Sequence, residues 1–175
     1  MTIPVRIETE LGAFTIAVDA ERAPITAANF LAYVDGGHLD SATAYRIVTL
    51  ANQPAETVHK IEVVQWGMRT ADEKPAPFPN IAHETTEVTG LCHKHMTISM
   101  ARLAPGTAAS EFFICIGDQP ALDFGGLRNP DGQGFAAFGS VTEGEDTVMA
   151  IFAKAEIGSE YPATPVRFLK AERVV

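Results

Sequence analysis

Cysteine and histidine residues lie close together in the middle of the chain, where their side chains have the chemistry to bind zinc. They are His83, Cys92, His93 and His95. Imidazole nitrogens and thiolates are common protein ligands of zinc. The spacing, however, matches none of the standard zinc-binding patterns. A zinc enzyme is kept as an alternative on residue type alone, and the sequence predicts no metal and no other cofactor.

Serine and histidine residues suggest a second chemistry, hydrolysis by a serine nucleophile. Ser99 and Ser110 are the candidates. The Gly-x-Ser-x-Gly motif, which presents a nucleophilic serine on a sharp turn, does not occur in the sequence. We therefore expect both serines to be ordinary strand and turn residues.

The composition indicates one domain that folds without disulfides or metals. A chain of 175 residues with 46% hydrophobic content is long enough to bury a substantial core. We therefore predict a single domain over residues 1–175. Cys92 and Cys115 are the two cysteines, and we expect them to be reduced and buried.

The charge and the N-terminus exclude other classes of partner. A formal net charge of −9 argues against nucleic acid, since binding to phosphates depends on lysine and arginine. The first residues have neither a basic start nor an apolar stretch of signal-peptide length, and no later run is long enough to cross a membrane. We expect a cytoplasmic protein without a membrane partner.

Hydrophobic periodicity predicts the elements that must position the side chains. An opening hairpin is predicted from 5–9 and 14–18, followed by a helix that begins at Pro24 and ends at Gly36-Gly37. Thr142 and Glu145 have the spacing of a capping box, which predicts the start of a second helix. Further strands are predicted at 45–50, 61–66, 97–100, 111–116, 135–141 and 166–174, with loops at 51–60 and 70–95. Short strands with two helices indicate a barrel or a sandwich, and periodicity does not choose between them.

Several separated motifs occur in the same order as in cyclophilins. They are Ala23-Pro24-Ile25-Thr26 with Asn29-Phe30, Tyr45-Arg46-Ile47-Val48, Ser99-Met100-Ala101-Arg102, Ala109-Ser110-Glu111-Phe112-Phe113-Ile114, Leu122-Asp123 and Phe138-Gly139-Ser140-Val141. Over residues 5–174 the chain resembles the cyclophilin-type peptidyl-prolyl cis-trans isomerases. The resemblance implies a mainly β fold, a closed eight-stranded antiparallel β-barrel capped by two α-helices.

The resemblance also implies an activity, rotation about X-Pro peptide bonds without a cofactor. The uncatalysed barrier is about 18–20 kcal/mol. Rotation removes amide resonance and makes the prolyl nitrogen pyramidal, so a cation that donates a hydrogen bond there stabilises the twisted state selectively. By resemblance, Arg46 is that catalytic cation. Taken alone, Arg46 would be interpreted as part of a surface ion pair.

The substrate-binding residues are likewise implied by the resemblance. Strand alternation places Gln65 on one face with Val63, and Phe113 on one face with Glu111. In the family such positions hold the substrate carbonyl, line the proline pocket or contact the peptide backbone. The predicted substrate-binding residues are Val63, Gln65, Ala101, Glu111, Phe113, Leu122 and Phe135. Judged without the resemblance, Val63 and Phe113 would be assigned to the core.

The chain departs from the family pattern at several of these positions. Glu62 stands where the family has an aromatic residue and Val63 where it has a methionine, which predicts a shallower or more polar proline pocket. Glu111 replaces a glutamine and puts an anion near Arg46, where it would either orient the guanidinium or compete with substrate. Ala121 replaces a tryptophan and Phe135 a histidine, so we expect weak or no cyclosporin binding. A longer connection at 51–60 is expected to be exposed and to cover or reshape the cleft.

The sequence thus predicts an isomerase that acts on proline-containing peptides or unfolded proteins and assists folding. The alternative is a non-catalytic module that binds proline peptides on the same barrel. Binding without faster exchange would distinguish the module from the enzyme. We expect a monomer.

Overall fold

Eight β-strands close into one antiparallel barrel in the computed structural model, which describes residues 1–69 and 75–175. The strands are β1 (Thr2–Thr9), β2 (Gly12–Asp19), β3 (Thr43–Val48), β4 (Val63–Gly67), β5 (Thr97–Met100), β6 (Glu111–Cys115), β7 (Ala137–Glu143) and β8 (Val166–Arg173). Their order around the barrel is β1-β2-β7-β5-β6-β4-β3-β8. The predicted closed eight-stranded barrel is confirmed.

The helices include the two that were predicted and a shorter one that was not. Helix α1 covers Pro24–Asp35, α2 covers Thr86–Thr89 and α3 covers Glu145–Phe152, and Pro120–Leu122 form a 3₁₀ turn. The stretch 70–95 was predicted to be loop, but it contains α2, and its residues 70–74 lie outside the described part of the chain. Thr85 caps α2 by accepting a hydrogen bond from Val88 N, a local signal that the loop assignment overlooked.

The start of α1 is stabilised by a distant carboxylate. Ala23 occupies the N-cap position and makes no side-chain cap. Instead, the Glu84 carboxylate accepts hydrogen bonds from Ile25 N at 3.3 Å, and from Thr26 N and Oγ1 at 2.6 Å each. An acceptor with negative charge satisfies the free N–H groups of a helix start and complements its dipole. Glu84 therefore ties the long central connection to the helix.

The capping box predicted for α3 is wrong. The N-cap is Gly144, with φ +79°, and no side chain caps the helix. Thr142 is still part of β7, and its hydroxyl donates to Thr15 O at 3.5 Å. A Cβ on Gly144 would lie 2.3 Å from Ala13 O, so the close passage of the chain past β2 requires glycine. Tertiary contact thus overrides the local capping signal.

The barrel interior and α1 share an aromatic core. Phe30 of α1 lies with its ring centroid 5.0 Å from that of Phe112 and 5.2 Å from that of Phe138. Trp66 stacks on Phe168 at 4.7 Å and is fully buried. Aromatic side chains of this size dominate core energetics. A second, smaller apolar cluster lies apart from this core, and it contains Val63, Phe113 and Leu122.

Two expectations about exposure need correction. Cys92 is exposed, not buried, while Cys115 is buried, and both thiols are free. The 51–60 loop is not wholly exposed, because Asn52 and Gln53 are buried. Their amides must find hydrogen-bond partners there, and Asn52 Nδ2 donates to Ile47 O at 2.8 Å.

Residues 1–69 and 75–175 contain no helix that is both long and apolar enough to cross a membrane.

Candidate active site

One cleft of about 460 Å³ opens on the barrel wall formed by β3, β4 and β6. The structure places all eight predicted site residues in its lining. They are Arg46, Val63, Gln65, Ala101, Glu111, Phe113, Leu122 and Phe135. They come from six strand, turn or loop segments along the chain. The register of β4 with β6, in which Gln65 pairs with Phe113, aligns the residues of those two strands.

Arg46 is held across the cleft by two side chains. Its Nη1 donates to Gln65 Oε1 at 2.9 Å, and its Nη2 donates to Glu160 Oε1 at 2.8 Å. The side chains of Arg46 and Glu160 are 25% and 19% exposed, so the pair is only partly screened by water. Arg46 Nε is buried without a hydrogen-bond partner in the described part of the chain. Both ends of the guanidinium are therefore fixed, while it still lines the cleft.

Tyr45, the neighbour of Arg46 on β3, also reaches the site. The pairing of β3 with β4 shifts by one residue between Thr43 and Arg46, where Thr43 faces Gly67 and Arg46 faces Gln65. Such a bulge redirects side chains, and the Tyr45 hydroxyl accepts a hydrogen bond from Gln65 Nε2 at 2.7 Å. Burial raises the pKa of Tyr45, and the nearby charge of Glu111 raises it further, so the hydroxyl stays neutral. Tyr45 therefore orients the Gln65 amide.

Glu111 does not form the ion pair that the sequence allowed. The ion-pair partner of Arg46 is Glu160, which lies between α3 and β8. Ile47 N also donates to Glu160 O at 2.7 Å, so main chain as well as side chain fixes Glu160 against β3. The structure therefore assigns the orientation of the guanidinium to Glu160.

The floor of the cleft is apolar. Phe113 and Leu122 are 4% and 1% exposed, and Val63 is 2% exposed. The Phe135 ring stands at 85° to Phe113 with centroids 5.6 Å apart. These side chains form an apolar corner of the cleft, where an apolar group can bind by burial.

Phe135 is in turn supported by a buried arginine. The Arg102 guanidinium lies 4.8 Å from the Phe135 ring centroid. Arg102 forms two hydrogen bonds with the Asp131 carboxylate, at 2.9 and 3.0 Å, and its side chain is 1% exposed. A planar guanidinium in this fork geometry is a rigid platform, so it holds the Phe135 wall in place.

The prediction that Glu62 makes the pocket more polar is wrong. The cleft is lined by Ile61 and Val63, whereas Glu62 accepts a hydrogen bond from Leu50 N at 3.4 Å, outside the lining. Strand alternation explains this, because Glu62 points away from the face that Ile61 and Val63 share.

A chain of hydrogen bonds runs beneath the floor. His93 Nδ1 lies 2.7 Å from Asp123 Oδ1, and His93 Nε2 lies 2.8 Å from Ser99 Oγ. The His93 ring is stacked on Phe113 at 15°, with centroids 5.9 Å apart. His93 is 1% and Ser99 0% exposed, so this Asp–His–Ser arrangement has no access to a substrate. Its position supports Phe113 from behind and gives no basis for a hydrolase.

The structure does not bring the residues of the zinc alternative together. His83 bonds to Gln133 O, and His93 to Asp123 and Ser99, as above. His95 Nε2 lies 2.8 Å from Glu145 Oε1. Within residues 1–69 and 75–175, no group of three metal-binding side chains is gathered. The zinc alternative therefore has no site in this part of the chain.

Arg128, Tyr161 and Glu160 are among the site residues that the sequence analysis missed. Arg128 and Tyr161 line the cleft, and Glu160 binds Arg46. All three lie in connections without regular structure, where neither alternation nor a motif distinguishes them. Only folding brings these connections to the cleft.

In chemical terms the site combines an apolar corner with a fixed cation and an oriented amide. An apolar ring would bind the floor, and the adjoining peptide groups would meet Arg46 and Gln65. Ser110, the serine candidate that lines the cleft, is 2% exposed, and among the described residues no metal-binding group is gathered in the site. Its chemistry is electrostatic stabilisation of a polar group bound next to an apolar one.

The family model described as "Cyclophilin type peptidyl-prolyl cis-trans isomerase/CLD" matches residues 4–173. The chain therefore belongs to the cyclophilin-type peptidyl-prolyl cis-trans isomerases, and it is an isomerase of X-Pro bonds. The curated peptidyl-prolyl cis-trans isomerase cyp18 of Streptomyces antibioticus is 34% identical over 84% of this chain and 81% of its own length. Peptidyl-prolyl cis-trans isomerase A of Dickeya dadantii is 32% identical over 80% of this chain and 66% of its own length. These names favour the enzyme over the non-catalytic module.

A solved structure agrees with the fold. The cyclophilin type peptidyl-prolyl cis-trans isomerase of Cryptosporidium parvum superimposes with a TM-score of 0.79, covering 100% of this chain and 99% of that chain at 18% identity. A structure described as obtained in the presence of the dipeptide Ala-Pro gives a TM-score of 0.77.

Proposed function

We propose that Arg46 is the catalytic residue and that the apolar corner binds the proline ring. The observation that supports this is the hydrogen bond from Arg46 Nη1 to Gln65 Oε1 at 2.9 Å, beside a floor of Phe113 and Leu122. With a proline on that floor, the guanidinium donates toward the prolyl nitrogen as the amide twists. Gln65 holds a substrate carbonyl, and Ala101, Glu111 and Phe135 complete the cleft.

The energy required is modest. A thousandfold acceleration corresponds to about 4 kcal/mol of differential stabilisation. Loss of a single well-placed donor from an electrostatic site costs about 2.7–4 kcal/mol elsewhere. Arg46 therefore suffices if its hydrogen bond strengthens as the nitrogen loses its resonance, and the fixed guanidinium needs little reorganisation during the reaction.

We further propose that the whole chain, 1–175, is one monomeric cytoplasmic domain that assists the folding of proline-containing clients. Cyclosporin binds weakly or not at all, since Ala121 offers no indole and Phe135 no imidazole.

The test is magnetisation-exchange NMR on a short X-Pro peptide, with wild type and Arg46→Ala at equal concentration. We expect the added cis-trans exchange to fall at least about a hundredfold in Arg46→Ala, which removes the central donor. Arg6→Ala is the matched control, because Arg6 lies on β1, outside the cleft lining.

Arg46→Lys separates charge from geometry. Lysine keeps the charge but not the planar fork, so we expect activity well below wild type. If Arg46→Ala accelerates exchange as wild type does while both variants remain folded, Arg46 is not catalytic. If wild type changes the chemical shifts of the peptide but does not accelerate its cis-trans exchange, the protein binds the peptide without catalysing the isomerisation.

A further inference from the structure

Arg128 lines the cleft together with Arg46 and Arg102, and among the described residues its guanidinium is anchored only through Nη1. Its Nη1 donates to Gln53 Oε1 at 2.8 Å and to His59 O at 3.1 Å. Its backbone N donates to Ala121 O at 3.1 Å. Within residues 1–69 and 75–175, Nε and Nη2 of Arg128 make no hydrogen bond. The Nε–Nη2 edge is the one that binds a carboxylate side-on with two parallel hydrogen bonds.

Among the described residues, the charge of Arg128 also has no direct partner. Both acceptors on Nη1 are neutral, and no carboxylate of the described residues lies within ion-pair distance of it. Burial lowers the pKa of Arg128, and the positive charge of Arg46 lowers it further, while Glu160 acts in the opposite sense. A guanidinium remains protonated in proteins. Arg128 is thus a partly buried cation whose Nε and Nη2 have no hydrogen-bond acceptor among the described residues.

The anchor of Arg128 is rigid. Gln53 is 6% exposed, and its Nε2 donates to Thr49 O and Ile61 O at 2.8 Å each. This fixes Oε1 of Gln53 and therefore the guanidinium that binds it. A donor held in place before binding loses little entropy when a ligand arrives. The longer 51–60 connection thus contributes to the cleft through Gln53.

We propose that Arg128 binds the carboxylate of an aspartate or glutamate close in sequence to the substrate proline. The proposal rests on the proposed function, in which the apolar floor takes the proline. Arg128 lines the same cleft as Ile61 and Leu122. An extended peptide advances about 3.3–3.6 Å per residue, so a side chain one or two positions from the proline falls within the cleft. The preference is local, because the net charge of −9 repels acidic peptides at long range.

The test uses matched peptide pairs with Glu or Gln, placed either directly after the proline or two positions before it. For each protein, magnetisation exchange gives the Glu-to-Gln ratio of rate enhancement, and shift titration gives the ratio of affinities. We expect wild type to favour Glu at one of the two positions by about fivefold, as for a partly screened charge pair. Arg128→Gln should bring the ratio to about one. Ratios within one protein cancel any change in absolute activity.

Two further variants control for charge and geometry. Arg128→Lys keeps a charge without the fork and should retain part of the preference. Arg6→Gln makes the same change in net charge away from the cleft and should retain all of it. A wild-type ratio of one at both positions, or a ratio unchanged in Arg128→Gln, would overturn the proposal.

The two readouts also separate this proposal from the proposed function. If exchange is accelerated but the Glu-to-Gln ratio is one, the carboxylate site is wrong and the isomerase stands. If no peptide exchanges faster, yet Glu peptides bind more tightly and lose that advantage in Arg128→Gln, the carboxylate site stands and the catalytic assignment fails.

Discussion

Replacing His93 with phenylalanine should destabilise the protein by about 3 kcal/mol, even though the ring and its stacking on Phe113 are kept. The ring bonds to Asp123 and Ser99 at 2.7 and 2.8 Å in a site where His93 is 1% exposed. Losing a hydrogen bond to a charged group costs about 1.5–3 kcal/mol and a neutral one about 1 kcal/mol. Part of this cost is offset at Asp123, because its side chain is 22% exposed to water and still accepts a hydrogen bond from the backbone N of residue 93 at 2.8 Å.

The loss of stability in His93→Phe should depend on pH, and the pKa of Asp123 sets the direction of that dependence. Burial acts to raise the pKa of Asp123, but the hydrogen bonds from His93 more than offset this, and the net pKa lies below its ordinary value of 3.8. A lower pKa in the folded state means that the ionised carboxylate favours folding. This contribution is complete above the unfolded pKa and is lost as the pH falls through the folded pKa. The cost of His93→Phe should therefore be largest near neutral pH and shrink in acid.

Urea unfolding of wild type, His93→Phe, Ser99→Ala and the double variant measures these quantities. We expect a coupling energy between His93 and Ser99 of about 1 kcal/mol. A cost below about 1 kcal/mol for His93→Phe, or a cost that grows as the pH falls, would refute the hydrogen-bonded chain as the source of stability. Isomerase activity of folded His93→Phe should change little, because the new Phe ring still packs behind Phe113.

The remaining predictions concern the ion pair of Arg46, the two thiols and one glycine. Glu160→Ala should lower kcat/KM about tenfold, and Glu160→Gln should lower it no more than about threefold, since Gln keeps an acceptor for Arg46 Nη2. Equal losses in the two variants would contradict the role of Glu160 in orienting Arg46. In a thiol titration, exposed Cys92 should react in the native protein, whereas Cys115, whose pKa is raised by burial, should react only on unfolding. Rapid reaction of both thiols in the native protein would contradict this prediction. Gly67→Ala should lower the free energy of unfolding in urea by at least about 3 kcal/mol. Gly67 has φ +146°, and a Cβ there would lie 2.3 Å from Ser110 O. A loss under about 1 kcal/mol would show that the two chain segments can move apart at this point.

Much of the fold could be predicted from the sequence because alternation and helical stripes are local signals. Residues 14–18, for example, place Phe14, Ile16 and Val18 at alternate positions, and they lie within β2. Closure into a barrel was not a local signal, and it came from the resemblance. The capping error at Thr142 shows the limit, since Gly144 passes so close to β2 that the helix starts elsewhere than the spacing suggests.

The candidate site could be predicted only in part, and for a different reason. Residues within motifs, such as Arg46 and Phe113, could be assigned in advance. Glu160, Arg128 and the buried amide of Gln53 lie in irregular connections and act through contacts distant in sequence, for example Arg128 with Gln53. Nothing in their own neighbourhoods indicates a partner, so only the folded structure reveals these contacts.

The closure of the barrel has a consequence for a protein that acts on proline-containing peptides and proteins. Every strand has hydrogen-bonded neighbours on both sides, so the described part of the chain offers no sheet edge with a row of unpaired N–H and C=O groups. Such an edge would add an extended client as another strand and nucleate its aggregation. Among the described residues the closed barrel offers an extended peptide no strand to pair with, so its release does not require breaking a ladder of main-chain hydrogen bonds.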